Sequence, residues 1–149
     1  SLRAAVDLSA IPERQVTVDC DVIQADGGTR TASICGGFIA LHDAFTRMIS
    51  AGQMAEHPIT EELAAVSVGV VDGEVCLDLP YVEDSTAEVD LNVVMTSSGK
   101  FVEVQGTAED GPFERKSLEE MLDAAEIGIK EITEAQRNLL SSPPVKRSN

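Results

Sequence analysis

Two stretches of the 149-residue chain hold residue types and spacings that could do chemistry. The first is QADGGTRTAS, residues 24–33, where Gly27-Gly28-Thr29-Arg30 falls between a strand-like run and a helix-like run. A helix N-terminus presents unpaired backbone N–H groups and a partial positive charge. Glycine lets an anion approach the backbone closely, a threonine adds a hydroxyl donor, and an arginine grips two oxygens at once. The set suits a phosphate-sized anion better than a carboxylate. It is neither a Walker A loop nor a dinucleotide fingerprint, so a nucleoside triphosphate is not implied. The plainer alternative is a turn and helix cap, with Arg30 in solvent or paired to Asp26.

The second stretch, PYVEDSTAEVDLNVV (80–94), carries Glu83, Asp84, Glu88 and Asp90. Its first part lacks periodicity and reads as a loop leading into a strand. In that strand Val89, Leu91 and Val93 share one face, while Asp90 and Asn92 share the other. Asp90 could bind a divalent metal with help from Asp84, or act in proton transfer. The alternative is an ordinary solvated sheet face. Phosphate beside carboxylates is repulsive unless a metal bridges them or one carboxyl takes a proton. A protonated aspartate beside bound phosphate is a general acid next to a nucleophile, which describes phosphorolysis.

The elements around these stretches follow from periodicity. Residues 15–23, QVTVDCDVI, alternate and predict a strand. From 29 to 50, Ile34, Phe38, Leu41, Phe45 and Met48 mark a well-buried helix. Gly36 and Gly37 inside it cost about 1 kcal/mol each against alanine, for which close approach of another backbone is the usual compensation. Asp72-Gly73 joins strands 65–71 and 74–79 as a hairpin. Residues 97–100 join strands 89–96 and 101–108. Residues 117–140 form an amphipathic helix with a capping box of Ser117 and Glu120. The order, strand, helix, four strands, helix, predicts an α+β layer with helices packed on a sheet.

Composition sets further bounds. The length suits one domain, residues 1–140, followed by a disordered tail at 141–149. Hydrophobic residues are 43% and aromatics only 3%, so the core is aliphatic. No apolar run is long enough for a bilayer, and the N-terminus lacks a cleavable signal pattern, which together point to the cytoplasm. Cys20, Cys35 and Cys76 read as buried free thiols. Net charge is −15, and between Arg47 and Lys100 there are ten acids and no Lys or Arg. That window is unsuited to a phosphate backbone.

The stretches DCDVIQADGGTRTASI and YVEDSTAEVDLNVVMTSSGKFVEVQGTAE, with the final helix, resemble the bacterial ribonuclease PH family over nearly the whole chain. The resemblance implies that family's fold, related to ribosomal protein S5 domain 2, with a mixed sheet and packed helices in a βαβ arrangement. It implies a homo-oligomeric ring of six subunits built from dimers. The implied reaction is attack of inorganic phosphate, a co-substrate, on the last phosphodiester of an RNA 3′ end, the precursor tRNA trailer. A nucleoside diphosphate leaves, and the reverse reaction adds nucleotides. The family's phosphate loop falls on Gly28, Thr29 and Arg30, and its catalytic aspartates on Asp84 and Asp90, which are also the implied Mg²⁺ ligands. Asp84 is preferred as the acid and Asp90 as the metal ligand, though the residues alone do not decide between these roles. Family chains carry an N-terminal section ahead of the point where this sequence starts, with a further phosphate-contacting arginine and a tRNA-gripping basic cluster. Cys35 stands where relatives often have threonine, a neutral exchange. Two alternatives are a non-catalytic subunit of an exosome-like ring and an acidic domain holding a small anion. Arg30, Asp84 and Asp90 together argue against the first of these.

Overall fold

The computed structural model describes residues 1–142. Of the expected tail, Ser141 and Ser142 are tied back to the last helical turn by their N–H groups, and 143–149 lie outside the described residues. Two short 3₁₀ turns, Leu2–Ala5 and Leu8–Ala10, precede α1 (Thr29–Ser50). Then follow β1 (Leu63–Val71), β2 (Glu74–Leu77), α2 (Tyr81–Asp84), β3 (Val89–Thr96), β4 (Phe101–Ala108) and α3 (Arg115–Leu140). The sheet has the order β2-β1-β3-β4. The expected α+β class holds. The sheet is antiparallel at every pairing rather than mixed, because tight hairpins close β1–β2 and β3–β4, and α2 turns the chain back between them.

Register assigns the faces. Ala64, Val66, Val68 and Val70 of β1 join Val89, Leu91, Val93 and Met95 of β3 against Met121, Ala125 and Ile129 of α3. On the opposite face Leu63, Ala65 and Val94 pack with Phe38 of α1 and with Ala5. With helices on both faces, β1 is buried on both, so it reads as a continuous small-apolar run.

Only Val68–Val71 of β1 pair with β2, so the first half of β1 needs other partners on that side. Three side-on contacts supply them. The Cys35 thiol donates to Ala65 O (3.2 Å) and its sulfur accepts from Ala65 N–H (3.3 Å). Gln136 Nε2 donates to Leu63 O (3.2 Å), and the Asp78 N–H donates to Ser67 O (2.8 Å). Burial pushes the Cys35 thiol up from its ordinary value, which keeps it protonated as this donor role requires.

Several expectations are corrected here. Residues 15–23 form no strand: they have no ladder partner among the described residues and run beside α1, leaving Val16, Val18 and Val22 exposed. Alternation supplies a two-sided ribbon, but a strand exists only through its pairing. Gly37 is approached by side chains, Val18 and Leu2, rather than by backbone, and Gly36 faces open space. α3 starts two residues earlier than expected, with Glu114 at the cap. Ser117 is thereby moved inside the first turn, and Glu120 pairs with Lys116 (3.2 Å) instead of closing a capping box. The three cysteines are free, but Cys20 is exposed and the other two are only partly buried. Among the described residues no helix is long and apolar enough to cross a membrane.

One ion pair fastens α3 to the sheet. Arg137 Nε lies 3.0 Å from Glu62 Oε1, and Ser97 Oγ donates to Glu62 Oε2 at 2.7 Å. The Arg137 guanidinium and the Ser97 hydroxyl pull the Glu62 carboxyl down from 4.5 to about 2. Because the folded value lies below the unfolded one, this stabilisation is present above about pH 4.5 and is lost as pH falls toward 2. Glu62→Gln removes it. The variant is therefore expected to lose less stability than the parent between about pH 5 and about pH 3, read from urea midpoints at each pH. Parallel losses in both proteins would contradict the assignment.

Candidate functional site

The glycine loop stands where α1 meets the sheet. Gly28 is the N-cap of α1, with φ +70°, a left-handed conformation that favours glycine. Its carbonyl accepts from the Thr31 hydroxyl (2.8 Å) and from the Ala32 N–H (2.9 Å), which starts the helix. Asp26 fixes the approach. Its Oδ1 accepts from Gly27 N–H (2.8 Å) and Tyr81 N–H (2.6 Å), and these two donors, Tyr81 first, hold the carboxyl below its ordinary range. The loop is thus sewn to the start of α2, the turn that carries Asp84. Gly27 lies so close that a Cβ there would collide with the Leu79 carbonyl. Gly27→Ala is accordingly expected to destabilise by about 2 kcal/mol, an overpacking cost, measured by urea unfolding; an unchanged midpoint would contradict the contact.

Arg30, the second residue of α1, pairs with Glu103 of β4, not with Asp26. The guanidinium, followed by the Ser1 hydroxyl, holds the Glu103 carboxyl low. The bond uses Nη2 and leaves other donors of the fork for a second acceptor. Sequence reading missed Glu103, although alternation along 101–108 puts Glu103, Gln105 and Thr107 on one face.

Strand register then brings the second stretch under the first. Ser67 pairs with Asn92 and Gly69 with Asp90 across β1–β3. Across β3–β4, Asp90 pairs with Thr107, Asn92 with Gln105 and Val94 with Glu103. All of these lie on the α1 face, since side chains two apart share a face. A Cβ on Gly28 would stand 3.4 Å from Ser67 Oγ. The cradle therefore lies over the Ser67–Asn92 rung, and Asp90 is the next side chain along, about 7 Å away by strand rise.

Asp90 borders a polar cleft of about 640 Å³ shared with Asp84, Ser85, Thr86, Glu109 and Asp110. Burial first, and the Asp84 charge second, push the Asp90 carboxyl above its ordinary value. The buried Leu79, drawn across the bare backbone of Gly69, is the apolar neighbour on that rung. Where the first part of 80–94 is expected to be a loop, the short α2 directs Asp84 toward the cleft, with its N–H bonded to Pro80 O (2.9 Å). Gly28 thus lies over the Ser67–Asn92 rung, with Asp90 and the Asp84 cleft one rung to one side and Arg30, paired to Glu103 opposite Val94, one rung to the other; none of Gly28, Thr29 and Arg30 lines the cleft that holds the two aspartates. Glu83 and Glu88 do not line this cleft, and Glu88 instead accepts from Gly73 N–H (2.9 Å). Among the described residues no three His, Cys, Asp or Glu side chains form a metal cage.

Comparison with known proteins identifies the family. Residues 62–128 match domain 2 of the 3′ exoribonuclease family, and residues 1–46 match domain 1. A protein of Corynebacterium kroppenstedtii named ribonuclease PH is 56% identical over 147 residues, 99% of this chain and 58% of the relative. One of the same name from Corynebacterium glutamicum is 58% identical over 140 residues, 94% of this chain and 57% of the relative. The chain thus spans less than two thirds of the length of the curated relatives it matches. The crystal structure of rice (Oryza sativa) Rrp46 superposes with a TM-score of 0.62 at 19% identity, over 80% of this chain and 51% of that one. The Archaeoglobus fulgidus exosome, solved with RNA bound to its active site, gives 0.62 at 17%, over 76% of this chain and 45% of that one. At such identities these two establish the shared fold. With both family domains matched and relatives this similar along nearly its whole length, the chain belongs to the 3′ exoribonuclease family.

Proposed function

We propose that this chain supplies the phosphate cradle and the proton-transfer group of a phosphate-dependent 3′-5′ exoribonuclease. The observation that carries the reading is the position of Asp90, one side-chain step along the sheet face from the rung beneath the α1 N-terminus, with Arg30 held by Glu103 one step the other way. In the reaction, an oxygen of inorganic phosphate attacks the phosphorus of the last phosphodiester. The bond to the preceding 3′ oxygen breaks, that oxygen takes a proton, and a nucleoside diphosphate leaves.

Gly28 and Thr29 N–H groups, the Thr29 hydroxyl and Arg30 hold the attacking phosphate and offset its charge. Asp90, whose carboxyl is raised by burial and by Asp84, donates the proton to the leaving oxygen. Asp84, exposed on the opposite wall of the cleft, is the carboxylate that would hold Mg²⁺. This exchanges the two roles preferred from sequence. One or two carboxylates with substrate phosphates are a common Mg²⁺ set, so the residues fit the ion without an all-protein cage. The ion, when bound, supplies charge neutralisation to the phosphoryl group.

The family resemblance supports RNA with a 3′ trailer, such as precursor tRNA, as substrate. It also supports a ring of six subunits built from dimers and a cytoplasmic setting. With 26 acids against 11 Lys and Arg, the chain relies on surfaces beyond its own for the RNA backbone.

The test extends this chain to the relatives' full length with sequence from the Corynebacterium glutamicum relative and supplies an RNA with a short 3′ trailer. Nucleoside diphosphates released only when inorganic phosphate is present support the reading. Nucleoside monophosphates released at the same rate without phosphate would contradict it.

A further inference from the structure

Ser67 lies under the glycine loop with its hydroxyl chemistry unspent. It is 95% buried on β1, and its Oγ has no hydrogen-bond partner among the described residues. A buried hydroxyl is ordinarily paired. This one points at the α1 N-terminus, 3.4 Å from where a Cβ of Gly28 would stand. Its cross-strand partner on the same face is Asn92, half-buried, and the next partner along that rung is Gln105. Directly opposed side chains have Cβ atoms about 5 Å apart, within reach of a serine–asparagine hydrogen bond after one rotamer step. Around them the face is acidic, with Asp90 on one side of Asn92 and Glu103, opposite Val94, on the other.

We infer that Asn92 is a substrate-contacting floor group for the anion held by Gly28, Thr29 and Arg30, and that Ser67 is a positioning residue acting through it. The Ser67 hydroxyl donates to Asn92 Oδ1, which aims the amide NH₂ out of the sheet at a phosphate oxygen. A neutral donor serves here where a carboxylate would repel the anion and add to the charge of Asp84 and Asp90. This inference rests on the phosphate cradle proposed above and assigns the residues beneath it.

The test is a titration of the 149-residue chain with inorganic phosphate, followed by the amide NMR shifts of Gly28, Thr29 and Arg30. The parent is expected to show saturable shifts. Asn92→Asp, nearly the same shape with the donor replaced by a charge, is expected to weaken the apparent Kd at least tenfold, and Asn92→Ala about fivefold. Ser67→Ala should match Asn92→Ala, and the double variant should be no weaker than either, since one residue acts through the other. Thermal unfolding run beside each titration identifies any variant that fails to fold, in which case Asn92→Ser replaces it. Saturable binding by the parent with unchanged affinity in Asn92→Asp overturns this inference and leaves the cradle standing. Multiplying losses in the double variant overturn the linkage between Ser67 and Asn92. A parent whose loop amides do not shift overturns the cradle, and the inference with it.

Discussion

Arg30→Ala, in the chain extended to the relatives' full length, is expected to raise the phosphate KM by between about tenfold and a hundredfold. That range corresponds to losing a charge-assisted hydrogen bond of about 1.5–3 kcal/mol. RNA affinity should stay nearly constant, because Arg30 stands over the sheet face beside the glycine loop and the chain as a whole is acidic. Steady-state kinetics against phosphate, with RNA binding measured separately, separates the two. Equal loss of RNA affinity would contradict the division of labour. The pairing with Glu103 sharpens the test. Glu103→Gln frees the guanidinium without removing it, and should lower the phosphate KM or leave it unchanged. A rise comparable to that of Arg30→Ala would mean that the pair, not the free guanidinium, makes the site.

Asp90→Asn is expected to reduce kcat by about 10²–10⁴, the usual worth of a positioned acid, in degradation and in nucleotide addition alike. Both directions pass through one transition state. In the parent, degradation should fall at high pH as the Asp90 proton is lost. Its carboxyl is raised by burial and by Asp84, so this limb lies above the ordinary carboxylate range. The substitution should flatten that limb. Asp84→Asn should also suppress the reaction, yet keep the limb, moved to lower pH by loss of the Asp84 charge, and respond to added Mg²⁺. The reverse pattern, a limb lost with Asp84 and Mg²⁺ rescue with Asp90, would restore the roles preferred from sequence.

Local pattern carried much of the architecture. Strands 89–96 and 101–108 and the helix 29–50 lie where periodicity puts them, because each has one face buried and a turn or cap at its ends. Asp90 and Asn92 share a face for the same reason. What local pattern lacks is the partner. The run 15–23 alternates like a strand but finds no ladder, and Arg30, for which the plainer alternative is solvent or Asp26, pairs instead with Glu103, seventy-three residues away. Asp26 is engaged by the N–H groups of Gly27 and Tyr81, so it holds the loop instead of the arginine. Ser67 sits in a small-apolar run that reads as core. Only the β1–β3 register and the seat of α1 bring it under the glycine loop.

Supplying inorganic phosphate labelled in its phosphorus tests the central claim most directly, since the cradle and Asp90 can serve phosphorolysis only if that phosphate becomes part of the product. The full-length form would be given an RNA with a 3′ trailer, and the released nucleotides would be separated. The account predicts that the label appears as the β-phosphorus of a nucleoside diphosphate, one label per nucleotide removed. Unlabelled nucleoside monophosphates, formed with water as the nucleophile, would contradict it.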